Sequence, residues 1–234
     1  MKTSPIIIAL DCDSAAEAKA IVKATVDTVS YYKVGLELYA VAGPKFVTDL
    51  VAKGKKVFLD LKLHDIGETV KRATAQIATM GVSLLTVHAE PQVMRAAIAG
   101  KGKSKLKILG VTVLTSLDQT DLHAMGYTQA LNALFELRVR NAARAGVDGV
   151  VCSPLEVAKV RALLGAGKVI VTPGVRSAGA AKGDQKRVAT PGDAIVAGSD
   201  LLVIGRQVTR AEDPNAEVKR ILSEIRAAKR RTTS

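Results

Sequence analysis

The sequence predicts an α/β protein built as a single (β/α)8 barrel domain over residues 1–234. Three observations carry that expectation. Short β-branched runs recur eight times, most of them followed by an amphipathic stretch with helical periodicity. The runs are nearly continuous in apolar residues, as strands covered on both faces of a parallel sheet must be. Polar residues gather at the C-terminal ends of the runs rather than along them. A doubly wound open sheet is the competing arrangement. It usually carries a glycine-rich phosphate loop after its first strand, and "ALDCDSAAE" has no such glycines.

In chain order the strand candidates occupy 5–10, 31–36, 56–62, 84–89, 107–114, 149–153, 169–173 and 201–206. Each is rich in Val, Ile, Leu or Tyr, and each is short enough to cross a barrel wall once. The expected helices occupy 14–29, 43–54, 70–81, 128–146, 154–167, 190–199 and 213–231. Gly54, Gly81, Gly146 and Gly165 stand where helices should terminate, because glycine enters the left-handed cap conformation without a Cβ clash.

Composition narrows the function. Hydrophobic residues make up 48% of the chain, enough for a core that needs no disulfide or metal staples. With no Trp, three Phe and four Tyr, that core must be mostly aliphatic. Cys12 and Cys152 belong to no CxxC pattern and read as reduced, buried thiols. The N-terminal apolar run ends at Asp11, too short for a signal sequence, and no stretch approaches the ~18 apolar residues of a membrane span. A soluble, cytoplasmic protein without membrane contact is expected. The formal charge of +12 asks for an anionic partner. Nucleic acid fits poorly: the only dense basic run is "IRAAKRRTTS", aromatics for base stacking are scarce, and no recognition motif appears.

In a barrel of this kind chemistry sits at the C-terminal ends of the strands. Read in order, those ends supply Asp11, Lys33, Asp60 with Lys62, His88, Thr115 with Ser116, Ser153, Gly174 with Arg176, and Gly205 with Arg206. Asp60 and Lys62 are two apart on one strand and share a face. If that face is the barrel interior, Asp11 and Lys33 can complete an alternating array of anions and cations. Such an array suits a fixed ammonium acting as a proton donor; a structural salt-bridge cluster at the rim is the competing reading. Asp65 in "DIGE" also matches a helix N-cap followed by Glu at the third helical position. Gly205 with Arg206 and Gly174 with Arg176 resemble a phosphate grip after the seventh and eighth strands. Between them "RSAGAAKGDQKRVATPGD" is too long for a turn and suits a loop that folds over a ligand. The histidines His64, His88 and His123 have no metal-ligand spacing, so no metal site built from them is expected.

These residues resemble the orotidine 5'-monophosphate decarboxylase family. "LDLKLHDI" is similar to that family's D-x-K-x-x-D-I signature. "IIIALD", "YYKVGLEL", "VTVLTSL", "TPGVR", "GDQKRVATP" and "LLVIGR" extend the likeness in order along nearly the whole chain. The resemblance implies a homodimer that decarboxylates orotidine 5'-monophosphate to UMP, the last step of pyrimidine synthesis. It implies that Asp11 and Lys33 contact the ribose, Asp60 lies against the substrate carboxylate, and Lys62 protonates C6. Asp65, Ile66 and Thr69 would act partly across the dimer interface. Thr115 or Ser116 would meet the pyrimidine edge. Arg176 and Gln185 would belong to the closing loop, and Gly205 and Arg206 would hold the phosphate.

Two departures stand out. "DIGET" replaces the common "DIPNT", and Ser177 follows "PGVR" where many members carry Pro, which implies a less rigid loop. Metal-dependent sugar-phosphate decarboxylases and hexulose-phosphate synthases share the D-x-K-x-x-D strand but typically place Glu at the end of the second strand. Lys33 in that position would repel the metal.

Overall fold

Alternation of the two periodicities produces eight strands in the computed structural model, which describes residues 4–179 and 188–232. They are β1 (Ile6–Ala9), β2 (Tyr31–Gly35), β3 (Lys56–Leu63), β4 (Leu84–His88), β5 (Lys107–Val111), β6 (Gly149–Val151), β7 (Val169–Thr172) and β8 (Leu201–Ile204). Every neighbouring pair is parallel, and β8 returns to β1 through the register Ile6↔Leu202 to Ile8↔Ile204. That closure excludes the open doubly wound sheet. The helices are α1 (Ala15–Thr25), α2 (Leu36–Ala52), α3 (Gly67–Thr79), α4 (Pro91–Lys101), α5 (Gln119–Ala124), α6 (Leu131–Ala145), α7 (Val157–Leu164), α8 (Pro191–Val196), α9 (Arg206–Thr209) and α10 (Pro214–Thr232).

Local chemistry starts and stops these helices. Ser14 caps α1 by accepting the Glu17 N–H, and Asp118 with Asp121 forms a reciprocal capping box on α5. Gly146 ends α6 in the left-handed conformation. Four helices depart from expectation: α2 starts early, and α4 and the short α5 and α9 lie outside the expected ranges. α2 begins at Leu36, directly off β2, and bends where Gly43 adopts φ 65° ahead of Pro44. Pro44 lacks the N–H that would continue the ladder, so a second helical segment starts there, where the sequence predicts one, and the two segments together make up α2. α4 carries Gly100 in its last turn. A Cβ at Gly100 would lie 2.2 Å from the Lys71 carbonyl oxygen, so this glycine lets α4 approach the α3 backbone.

The strands alternate strictly between two apolar compartments. Ile7, Ala9, Tyr31, Phe58, Leu84, Leu109, Val111, Val151, Val171 and Val203 fill the barrel interior. Ile6, Ile8, Tyr32, Val34, Leu59, Leu85, Ile170 and Leu202 face outward against the helices. Each buried Val, Leu or Ile contributes about 1.5–3 kcal/mol, so a register slip that exchanged the two sets would be ruinous. Both cysteines are buried, and neither is in a disulfide. Burial, reinforced by Glu17, Asp11, Glu37 and Asp13, pushes the Cys12 thiol up to about 11. Among the described residues no helix is long and apolar enough to cross a membrane.

Candidate active site

Above the apolar plug, the inward series of three adjacent strands ends in charge. Tyr31 on β2 is followed inward by Lys33 and Gly35; Phe58 on β3 is followed by Asp60, which pairs with Gly35 across the sheet. Asp11 lies two residues beyond the inward-facing Ala9 of β1. Lys33 Nζ donates to Asp11 Oδ1 at 2.6 Å and stands 3.7 Å from Asp60 Oδ2. Lys62 Nζ donates to that same Asp60 oxygen at 2.9 Å. Anion and cation therefore alternate as Asp11, Lys33, Asp60, Lys62.

Burial makes this arrangement consequential. The Lys33 and Asp60 side chains are only 10% and 12% exposed, and an isolated buried charge costs several kcal/mol. For Asp60, burial by itself favours the protonated acid. Lys33 and Lys62, with hydrogen bonds from Lys62 and Thr86, outweigh it and hold the carboxyl below its usual range. Asp60 is thus an anion at neutral pH, with both lysines drawn towards one of its oxygens.

Thr86 occupies the other oxygen. Its hydroxyl donates to Asp60 Oδ1 at 2.8 Å and accepts the Lys62 backbone N–H at 3.0 Å. Thr86 is fully buried and was not singled out in the sequence, where a threonine inside "LLTVH" reads as a strand former. The sheet is irregular here: Leu59 pairs with Leu85 and Leu63 with Val87, so β3 carries two more residues than β4 between those pairs. Lys62 lies in that bulge with φ 49°, the one non-glycine positive φ among the described residues. Left-handed backbone at such a residue costs about 1–2 kcal/mol, which the Thr86 contact and the Asp60 pair help to hold.

The array forms one wall of a cavity of about 430 Å³, inside the ~300–1,000 Å³ range of small-ligand sites. Ala9, Phe58, Val111, Val151 and Val203 contribute apolar lining. Thr115 and Ser116 both line it, on the β5 side. Gly174, Arg176, Gly205 and Arg206 line the side formed by β7 and β8, the strands that lead back to β1. Lys33, Lys62, Arg176 and Arg206 against Asp11 and Asp60 leave the lining net positive. The cavity can therefore receive a multiply anionic ligand with an apolar portion.

Other expected site residues lie elsewhere. Asp65, Ile66 and Thr69 are exposed and do not line the cavity of this chain. Asp65 is not the helix cap that "DIGE" suggested: α3 begins after Ile66, and Asp65 Oδ1 accepts only the adjacent Ile66 N–H, at 2.6 Å. Gln185 lies outside the described residues. Ser153 is a fully buried helix cap, paired with Glu156. His88 is not in the cavity lining; burial pushes its imidazole below the usual value. The expectation that Ser177 loosens its loop is corrected at its root. Ser177 is 4% exposed, and its hydroxyl donates to Glu224 Oε2 at 2.6 Å. Among the described residues no group of three His, Cys, Asp or Glu side chains is arranged to hold a metal ion.

Comparison with known proteins places the chain in a family. Residues 4–221 match the family model described as Orotidine 5'-phosphate decarboxylase / HUMPS family. The orotidine 5'-phosphate decarboxylase of Rhodopseudomonas palustris (strain BisA53) is 50% identical over 220 residues, 94% of either chain. That of Caulobacter sp. (strain K31) is also 50% identical, over 94% of this chain and 96% of its own. The crystal structure of orotidine 5'-phosphate decarboxylase from Lactobacillus acidophilus superposes with a TM-score of 0.83 at 36% identity, covering 94% of this chain and 98% of that one. With the same barrel matched from its first strand into its last helix, the chain belongs to the orotidine 5'-phosphate decarboxylase / HUMPS family.

Proposed function

We propose that the whole chain is one barrel domain that decarboxylates orotidine 5'-monophosphate to UMP, as a cytoplasmic homodimer, using no metal or cofactor. The observation that carries this reading is the Asp11–Lys33–Asp60–Lys62 array at the rim of a cationic cavity. The relatives' names support the substrate. Arg176, Gly205 and Arg206 grip the phosphate, with Gln185 bridging it to the pyrimidine. Asp11 and Lys33 meet the ribose, and Thr115 or Ser116 meets the pyrimidine edge. The substrate carboxylate then lies against Asp60, beside Lys62.

The C6–carboxylate bond breaks, its electron pair stays on C6, and carbon dioxide leaves. Lys62 Nζ transfers a proton to C6, and the neutral amine regains one from solvent. The C6 lone pair is orthogonal to the ring π system, so stabilisation must be electrostatic. An ammonium about 3 Å away in an effective dielectric of about 20 supplies on the order of 5 kcal/mol, roughly four powers of ten in rate. Lys33 pairs with both Asp11 and Asp60, so their negative charge is already compensated and a divalent cation would meet repulsion. Ile66 is 71% exposed at the head of α3 beside Asp65. A two-fold contact there would cover Ile66 and bring Asp65 and Thr69 to the partner's array.

Decarboxylation of orotidine 5'-monophosphate followed by ultraviolet absorbance in EDTA tests the proposal. Turnover is expected in chelator, and Lys62→Ala should lower kcat by at least about three powers of ten. Activity appearing only with Mg2+ and a sugar phosphate would instead support the hexulose-phosphate branch of the family.

A further inference from the structure

We propose that Ser177 and Gln207 form a clamp that sets the spacing of Arg176 and Arg206, and with it the site's affinity for a phosphate monoester. This deepens the proposed function and rests on it. The two residues directly follow the two cavity-lining arginines, and they bond reciprocally across the barrel rim. The Ser177 backbone N–H donates to Gln207 Oε1 at 3.2 Å, and Gln207 Nε2 donates to Ser177 Oγ at 2.9 Å. The second Gln207 N–H donates to Glu217 Oε1 at 2.8 Å. Every polar group of both side chains is engaged, so the Gln207 amide has one orientation available to it.

The clamp is anchored from behind. Glu217 and Glu224 lie two turns apart on α10, with Arg220 between them on the same face. Arg220 grips Glu217 through Nε and Nη2 at 2.8 and 2.6 Å and reaches Glu224 at 3.9 Å. Arg176 is fixed independently on its other side, where its N–H donates to the Ala189 carbonyl at 3.0 Å. Arg206 opens the single-turn α9 that carries Gln207, so the amide of Gln207 moves with the Arg206 backbone. Two guanidinium groups can share one phosphate only if their backbones stand at a matching distance. A hydrogen-bonded pair at the residue directly after each arginine holds that distance. Its effect is confined to the phosphate end, because the Lys62 array stands on β1 to β3.

Calorimetric binding of UMP and of uridine to wild type, Ser177→Ala, Gln207→Met and the double variant tests the clamp. UMP affinity should fall roughly ten- to hundredfold in either single variant. Uridine affinity should stay within about twofold. The double variant should lose little beyond the worse single one, because both substitutions break the same pair. Ser177→Thr, which keeps the hydroxyl, should restore most of the UMP affinity. Gln207 is half-buried, so Gln207→Met carries the test should Ser177→Ala fold poorly. Folded variants that bind UMP as wild type does, or that lose UMP and uridine alike, would overturn the clamp. A wild-type protein that binds no UMP would refute the proposed function itself.

Discussion

Gly35→Ala should disable the charge array while leaving the barrel intact. Gly35 closes β2 with φ −97° and ψ −174°, extended backbone that alanine adopts freely. The substitution therefore acts through its methyl group alone. A Cβ at this position would stand 2.8 Å from Lys33 Nζ and 3.2 Å from Asp11 Oδ1. Ordinary contact is about 3.5 Å, so the ammonium must withdraw by roughly 0.7 Å. Lys33 already sits 2.6 Å from Asp11 and has no slack on that side. A misplacement of about 1 Å in a reacting array costs up to about a hundredfold. The expected loss in kcat/KM is therefore roughly ten- to hundredfold, about 1.4–2.8 kcal/mol of transition-state stabilisation.

Stability should barely change. Alanine restricts the unfolded chain by about 0.4–1 kcal/mol in the protein's favour, and the displaced lysine offsets part of that. Tm should stay within about 4 °C of wild type. Decarboxylation followed by ultraviolet absorbance, with thermal unfolding of the same samples, measures both quantities. Unchanged kcat/KM in a folded variant would refute the reasoning, since Lys33 would then not need its observed position. A loss that merely tracked a collapse in Tm would refute it equally.

Thr86→Val keeps the volume but strands Asp60 Oδ1 and the Lys62 N–H. It should cost about 1–3 kcal/mol in urea denaturation, with Thr86→Ser restoring most of it, and a change below about 0.5 kcal/mol would count against the pairing. Asp60 also implies a pH dependence. Its folded pKa is depressed below the unfolded value of about 3.9. Its stabilising contribution is thus fully present above about pH 5 and is lost as pH falls through 3.9 towards the folded value. The stability advantage of wild type over Asp60→Asn should accordingly shrink between pH 7 and pH 3; a constant gap would contradict the shift. Ile66→Asp should convert the proposed dimer to a monomer in sedimentation, and an unaltered dimer would place the interface elsewhere.

The sequence by itself determined where the strands run and which polar residues close them. Those features are local: a buried strand repeats every two residues, a helix every 3.6, and Asp11, Lys33, Asp60 and Lys62 interrupt apolar runs visibly. Even Asp60 and Lys62 sharing a face followed from parity. The closed barrel was expected from the sequence, and the pairing of β8 with β1 bears it out. Only the tertiary structure decided that a bulge holds Lys62 at φ 49° and that Thr86 serves Asp60. It likewise decided that Gly100 is a contact between helices and that Ser177, which reads as a loosened loop, is fastened to Gln207 and Glu224. The signals differ in kind. Periodicity is written in adjacent residues, whereas each of these later features depends on a partner 24 or more positions away. Packing selects such partners, and no local pattern names them.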